Sequence, residues 1–254
     1  MNTNIPRLAT APREQLRAIR LLATDIDGTM TREGKLPPAI LSMMESLADA
    51  GIEVLPITGR PSGEALGLAR YLPRVKHAIA ENGATYIIPE EPLEFLVPVP
   101  NRAKLVALAA ELSRDLERPL CLTPDDFCRS VDVAFLRDGR NESELENLRQ
   151  QAAARGVFLV WSSVHIHLNE TAPDKGAAAL TLAARLGYQP HEIATIGDAP
   201  NDAGLWVAGR FGLPVGTEAV LRYLEVLPHH PAFVVSEAAT GWLELGQALL
   251  DARR

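Results

Sequence analysis

Cysteine is scarce: Cys121 and Cys128 are the only two in 254 residues, and they do not form a CxxC pair. That excludes a disulfide framework and a thiolate zinc site, and it fits a reducing, cytoplasmic setting with both thiols as small buried residues. Positive charge is in deficit, with 25 Lys and Arg against 32 Asp and Glu, a formal charge of −7. Affinity for DNA or RNA comes mainly from cations neutralising phosphates, so no nucleic-acid partner is expected, while a small phosphorylated ligand stays open. Long apolar runs are also missing. None approaches the roughly 20 residues that span a bilayer, so no membrane partner is expected. The N-terminal MNTNIPRLATAPREQLRAIR has no apolar segment of a signal peptide, and its four arginines and single glutamate resemble a transit peptide only faintly. An unordered or helical lead-in to the first strand is expected there. No internal repeat or low-complexity tract is visible, and oligomeric state is not legible.

What is present is ordinary globular composition, 47% hydrophobic and 22% charged, enough to bury a core in one large or two modest domains. Short strand-like apolar runs alternate with helix-like stretches, the pattern of a parallel α/β sheet. IRLLATDID reads as a buried strand. PPAILSMMESLADAG carries Ile40, Met44 and Leu47 at helical spacing, with proline suited to its first turn and Gly51 past its end. GIEVLPITGR is the next strand and turn, and a helix is expected over about 61–72. Asn82-Gly83 marks a turn between two strand-like pieces.

The rhythm then changes. NRAKLVALAAELSRDLER has Leu105, Leu108, Leu112 and Leu116 on one helical face, SVDVAFL alternates as a half-buried strand, and Asn141 and Glu144 stand in capping-box spacing. After FLVWSSVHIHL the α/β rhythm resumes, with a helix over about 174–187, the strand EIATIGD, a helix from about 200 and the short strand FGLPV. The expected organisation is a discontinuous α/β core of residues 1–84 and 168–254, with an inserted α+β segment over 85–167 and a ligand cleft between them.

Four stretches stand at the ends or openings of core elements. Asp25-Ile26-Asp27-Gly28-Thr29 ends a buried strand in two carboxylates, where open α/β sheets bind ligands; taken alone, an Asp-Gly turn explains it equally well. Ile57-Thr58-Gly59-Arg60 follows the next strand, offering a hydroxyl and a charge to an anion; alone, it reads as a turn with an exposed arginine. Lys175 in PDKG opens a helix, where positive charge opposes the dipole and suggests a lysine held for an anion, although a solvated lysine is the commoner explanation. GDAPND places Asp198 and Asp202 four apart, hard oxygen ligands suited to Mg²⁺, or else a capped helix start.

Together, in this order, these stretches resemble the four motifs of the haloacid dehalogenase superfamily of phosphohydrolases. Only 28 residues (30–57) separate Thr29 from Thr58, whereas about a hundred lie between Gly59 and Lys175, so the cap must occupy the second gap. ENGA at 81–84, followed by strands and two helices, is similar to the type-IIB cap of the Cof-like and sucrose-phosphatase-like branch. The implied fold is a Rossmann-like parallel-sheet core with an inserted α+β cap.

The resemblance implies a Mg²⁺-dependent phosphatase of a small phosphorylated metabolite, sugar phosphates first. Asp25 would be the nucleophile, forming an aspartyl-phosphate, and Asp27 the acid and base. Thr58 and Lys175 would hold the phosphoryl oxygens. The ion would sit on Asp25, Asp198 and the carbonyl of Asp27, with Gly28, Thr29, Gly59, Arg60, Asn201 and Asp202 around the phosphate and metal. Candidate substrate contacts are Asn82, Arg129, His165 and His167. Ser163, His165, His167 and Asn169 share one face of an alternating strand, although an exposed polar face explains either histidine more simply. Asp125, Asp126 and Arg129 read most simply as a solvated turn. Two rivals are a sugar phosphomutase, whose branch has a glycine-rich fourth motif unlike GDAPND, and a phospho-ligand-binding regulator, although no catalytic residue is missing. The five charged motif residues Asp25, Asp27, Asp198, Asp202 and Lys175 carry −3 of the −7, acidity suited to a cation.

Overall fold

Residues 5–114 and 116–254 are described by the computed structural model, and the first helix α1 (Arg13–Ala18) is the helical lead-in expected before β1 (Leu21–Thr24). Next come α2 (Pro38–Asp49), β2 (Glu53–Pro56), α3 (Ser62–Tyr71), β3 (Ala78–Ala80), β4 (Thr85–Ile87) and β5 (Glu94–Phe95). Then follow α4 (Arg102–Leu112), β6 (Val133–Leu136), α5 (Glu142–Ala153), β7 (Phe158–Trp161) and β8 (His165–Asn169). The chain closes with α6 (Lys175–Arg185), β9 (Ile193–Gly197), β10 (Leu213–Thr217), β11 (Phe233–Val235) and α7 (Ala238–Asp251).

Five strands form an all-parallel sheet in the order β11-β10-β9-β1-β2. Successive residues of β1 point to opposite faces, as strand geometry requires. Leu22 packs with Ile40, Met44, Leu47, Trp242 and Leu245 of the helices on one side. Leu21 and Ala23 pack with Ala179, Leu182, Leu205 and Trp206 on the other. Both faces are covered, so the strands read as near-continuous apolar runs.

Two three-stranded antiparallel sheets form the cap and its approach, β3-β4-β5 and β6-β8-β7. The expected boundary after residue 84 falls inside the first of these. Tyr86 and Leu96 pack into one core cluster and Ile87 into the other, while a bridge from Ile57 to Ile79 ties β3 to the parallel sheet. The second sheet has its own apolar cluster, in which Leu105, Leu112, Leu145, Leu148, Ile166 and Leu168 join α4 and α5 to one sheet face. The capping box at Asn141 and Glu144 is formed in both directions, with backbone-to-side-chain bonds of 2.8 and 3.0 Å.

Three expectations need correction. The helix from about 200 is a 3-10 segment, Pro200–Trp206, because Asp202 folds back to accept the Asp198 and Ala199 amides and tightens the turn. Cys121 is exposed and Cys128 half-buried, since the segment carrying them lies over the core rather than within a cluster; a Cβ at Gly63 of α3 would come within 2.7 Å of the Cys128 Cβ. The alternating strand expected to carry Ser163 with His165, His167 and Asn169 begins only at His165, because FLVWSSVHIHL is a hairpin whose turn holds Ser163, with Ser162 Oγ accepting the Val164 and His165 amides. Among the described residues no helix is long and apolar enough to cross a membrane.

Candidate active site

Strands β9, β1 and β2 are neighbours, and each delivers one motif from its carboxyl end: Asp198 after β9, Asp25 after β1 and Thr58 after β2. This is the edge at which parallel sheets bind ligands. The end of β1 is pinned by a relay in which Trp242 Nε1 donates to Thr24 Oγ1 at 3.0 Å and that hydroxyl donates to the Asp25 carbonyl at 2.7 Å.

Lys175 is the first residue of α6, whose N-cap Asp174 accepts the Ala177 amide at 2.9 Å. Its side chain is fully buried, not solvated, and Nζ donates to Asp25 Oδ1 and Asp202 Oδ1, both at 2.6 Å. Burial alone would strip the proton from such an ammonium, but Asp202 and Asp25 hold its pKa above the ordinary lysine value. Burial pushes the Asp25 carboxyl up to about 7, with Lys175 pulling it down and Asp202 pushing further up. Asp198 is raised well above the carboxylate range by burial and by the charges of Asp25 and Asp202.

Asp25, Asp198 and Asp202 each bring an oxygen within 4.8 Å of the others. Three buried carboxylates against one ammonium leave an excess of negative charge, which a hard dication neutralises. Asp202 is already engaged, through Oδ1 with Lys175 and through Oδ2 with the Asp198 and Ala199 amides at 2.9 and 3.1 Å. Asp25 and Asp198 are therefore the carboxylates left to face an ion, and this donor set fits Mg²⁺. Gly28 makes room for the arrangement. Its φ is +77°, and a Cβ there would lie 2.8 Å from the Asp198 Cγ.

Asp27 is placed differently from its neighbour. Arg60 clamps its carboxylate bidentately, Nε to Oδ2 and Nη2 to Oδ1 at 2.7 Å each, and reaches Glu64 with Nη1 at 3.1 Å. The guanidinium read from sequence as free for an anion is thus committed to Asp27. A cavity of about 570 Å³ opens beside this pair, lined in part by Ile26, Thr31, Lys35, Glu64 and Tyr71. Thr58 is buried with Oγ1 accepting the Arg60 amide at 3.0 Å, and Thr29 is buried with Oγ1 unpartnered.

The cap reaches down to the second motif. Arg129, read from sequence as part of a solvated turn, has a fully buried side chain; Nη1 donates to the Gly59 carbonyl at 2.9 Å and to Asp132 Oδ1 at 2.8 Å. His167, read most simply as exposed, is 1% exposed, with Nδ1 on Asp132 Oδ2 at 2.7 Å. The burial follows from β8 turning Ile166 and Leu168 into the cap cluster, which aims the histidine face at the core. His165 lies edge-on at 6.1 Å from His167, its pKa pulled down to about 4 by burial and then by His167. Asn82, at φ +57°, accepts from Asn201 Nδ2 at 2.9 Å through Oδ1.

Two residues escaped the sequence reading. Asp132 joins Arg129 to His167, and its place on the polar side of SVDVAFL was the available signal. Glu81 is buried at φ +49°, and its carboxylate accepts from Ser62 Oγ at 2.5 Å and from the amides of Ser62, Ser130, Val131 and Asp132 at 2.6–3.1 Å. It pins the cap loop to the start of α3.

Residues 22–100 match the family model of the haloacid dehalogenase-like hydrolases. A phosphoglycolate phosphatase of Pyrobaculum neutrophilum is 33% identical over 222 residues, covering 84% of this chain and 90% of that protein. One from Methanospirillum hungatei is 29% identical, covering 85% and 94%. Among solved structures, a protein of Thermoplasma acidophilum aligns with a TM-score of 0.73 at 19% identity, covering 92% of this chain and 98% of its own. The sucrose-phosphatase of Synechocystis, solved with sucrose and phosphate, aligns at 0.65 and 18%, again covering 92% and 98%. These last two likenesses show a shared fold. With the strand-end carboxylates and buried lysine in place, the chain belongs to the haloacid dehalogenase-like hydrolases, has the fold of the branch that contains sucrose-phosphatase, and is a phosphatase.

Proposed function

We propose that the protein hydrolyses a small phosphomonoester with Mg²⁺, through a phosphoaspartyl intermediate on Asp25. The observation that carries this reading is the buried Lys175 ammonium 2.6 Å from Asp25 Oδ1, which leaves the other carboxylate oxygen for phosphorus. Asp25 attacks the phosphorus, the ester P–O bond breaks, and the leaving oxygen takes a proton from Asp27. Water then attacks the phosphoaspartate, its proton passes to Asp27, and inorganic phosphate leaves. Asp27 must exchange Arg60 for the leaving oxygen in this sequence. Thr58 and Lys175 hold the phosphoryl oxygens, work that phosphoryl transfer requires more than covalent assistance.

The residues that would hold Mg²⁺ are Asp25, Asp198 and the carbonyl of Asp27, with Asn201 and Asp202 behind them. When bound, the ion supplies the positive charge that lets a carboxylate approach a phosphate. Sugar phosphates are the substrates expected from the resemblance. The names of the relatives bring forward 2-phosphoglycolate, and both belong in the first panel. The inserted unit, expected over 85–167, serves as a type-IIB cap that selects the leaving group, and cysteine usage favours the cytoplasm. Asp25→Asn is expected to abolish Mg²⁺-dependent phosphate release with the fold intact by circular dichroism; full retained activity overturns the nucleophile assignment.

A further inference from the structure

The Lys175 ammonium lies 2.6 Å from both Asp25 and Asp202, and the three groups come from different elements. Asp25 follows β1, Lys175 opens α6, and Asp202 lies in the 3-10 segment Pro200–Trp206. The placement of the ammonium therefore depends on how the first turn of α6 meets that segment. Their backbones touch at a pair of glycines: a Cβ on Gly176 would run into the Gly204 carbonyl, and one on Gly204 into Asp174 Oδ1. Such a contact sets how closely the two elements approach. It does not stop one from sliding along the other.

Arg210, beyond the four motifs, supplies that restraint. Its Nη1 lies 2.8 and 2.9 Å from the two carboxylate oxygens of Asp174 and donates to the Gly204 carbonyl at 3.0 Å. Asp174 is the N-cap of α6, and its bond to the Ala177 amide is internal to that helix. A cap closes its own turn without tying it to a neighbour. Arg210 joins the residue before Lys175 to the residue two after Asp202, and with consecutive Cα atoms about 3.8 Å apart both anchors lie close to the backbone that carries the ion pair. The guanidinium is reachable, since Arg210 lines a cavity of about 780 Å³ together with Trp161, Asp174, Asn201 and Gly204.

Resting on the phosphatase reading above, we propose that Arg210 is a positioning residue for the reaction, clasping Asp174 and Gly204 so that the Lys175 ammonium is fixed against Asp25 and Asp202. A buried ammonium drawn away from its carboxylates finds no water to replace them. A misplacement of about 1 Å at a reacting centre can cost about 100-fold in rate.

The test compares Arg210→Ala with the wild type on p-nitrophenyl phosphate and 2-phosphoglycolate, with Mg²⁺ present. On both esters kcat is expected to fall roughly 10- to 100-fold with KM little changed, and millimolar guanidinium chloride is expected to restore it where sodium chloride at the same ionic strength does not. A folded Arg210→Ala with wild-type kcat, or one whose loss lies wholly in KM, overturns the proposal. Asp174→Asn keeps a good helix cap but loses the ion pair, so it should share the loss, and the double variant should lose no more than Arg210→Ala alone; multiplied losses overturn the clasp. A measurement without turnover separates the clasp from the phosphatase reading. In chelator, the drop in urea midpoint caused by Lys175→Met is expected to be smaller in the Arg210→Ala background than in the wild type, and equal drops overturn the proposal. If the wild type releases phosphate from neither ester, the phosphatase reading falls and the urea comparison decides the clasp. If Arg210→Ala does not fold, Asp174→Asn takes its place in both measurements.

Discussion

Gly28→Ala separates a backbone effect from a site effect at a single atom. The residue sits at φ +77°, where an L side chain costs about 1–2 kcal/mol. A new methyl would also lie 2.8 Å from Asp198 Cγ and 3.2 Å from its Oδ1, too close for the carboxylate to stay. Asp198 must swing away from Asp25, which breaks the pair left to face a cation. For a chain of this size each kcal/mol moves Tm by about 2–4 °C, so the backbone part alone lowers Tm by roughly 2–8 °C. Displacing one carboxylate is expected to weaken Mg²⁺ binding by at least roughly 10- to 100-fold, the loss seen when outer partners of metal ligands are disturbed. Gly34→Ala is the control, since its φ is +70° and a Cβ there meets nothing within 4 Å. It should lower Tm to a similar extent and leave metal affinity intact. Calorimetric titration with Mg²⁺ and thermal melts of both variants decide the matter. Wild-type Mg²⁺ affinity in Gly28→Ala refutes the placement of Asp198 in the metal site.

Lys175→Met removes the one buried cation from among Asp25, Asp198 and Asp202; urea unfolding without metal should show a loss of about 3–5 kcal/mol, smaller when Mg²⁺ is added. Glu81→Gln turns an amide donor toward amides that now donate to a carboxylate, so a loss of about 2 kcal/mol or more is expected, with faster hydrogen exchange at residues 130–132 than in the wild type. The contribution of the buried carboxylates to metal-free stability should fall as pH rises from about 4 to about 7. Asp25 keeps its proton up to about 7 when folded but loses it near 3.8 when unfolded, so the native state binds more protons across that window, and Asp198 adds in the same direction. Urea midpoints of the wild type and of Asp25→Asn, in chelator at several pH values, separate this from the opposite trend of His165, whose pKa is pulled down to about 4; a wild type that gains on the variant over the window contradicts the burial of these carboxylates without a cation.

The parallel core was legible because a strand covered on both faces leaves a continuous apolar run, and a motif placed right after such a run has only the carboxyl edge of the sheet to occupy. Asp25, Thr58 and Asp198 followed from that rule. Lys175 was singled out by its conflict with the helix dipole, but its burial was not legible, because that depends on Asp25 lying 150 positions earlier. The partners of the cap residues were not legible for the same reason. Asp132, just before β6, and His167 on β8 are 35 apart, brought together by an antiparallel register that no local pattern fixed. Glu81 binds amides some 50 positions away, through a backbone whose positive φ is not expected of a glutamate. Arg60 was placed beside the phosphate because its partner Asp27, 33 positions earlier, was already given another role.

The residues whose partners were not legible share a location. Arg60, Arg129, Asn82 and His167 all touch or flank Gly59, where the cap meets the carboxyl edge of the core sheet: a Cβ on that glycine would approach Asn82 Oδ1 to 3.0 Å and His167 to 3.2 Å, and Arg129 already holds its carbonyl. One residue thus has the buried Thr58 hydroxyl as its neighbour, the carbonyl that fastens the cap and the open space that admits the histidine. Any shift of the cap moves His167 relative to Thr58, so the cap and the second motif are tied through a single peptide. Where function lies at such a crossing, each side chain is held by partners distant in sequence, and its role is legible only when both sides of the contact are seen together.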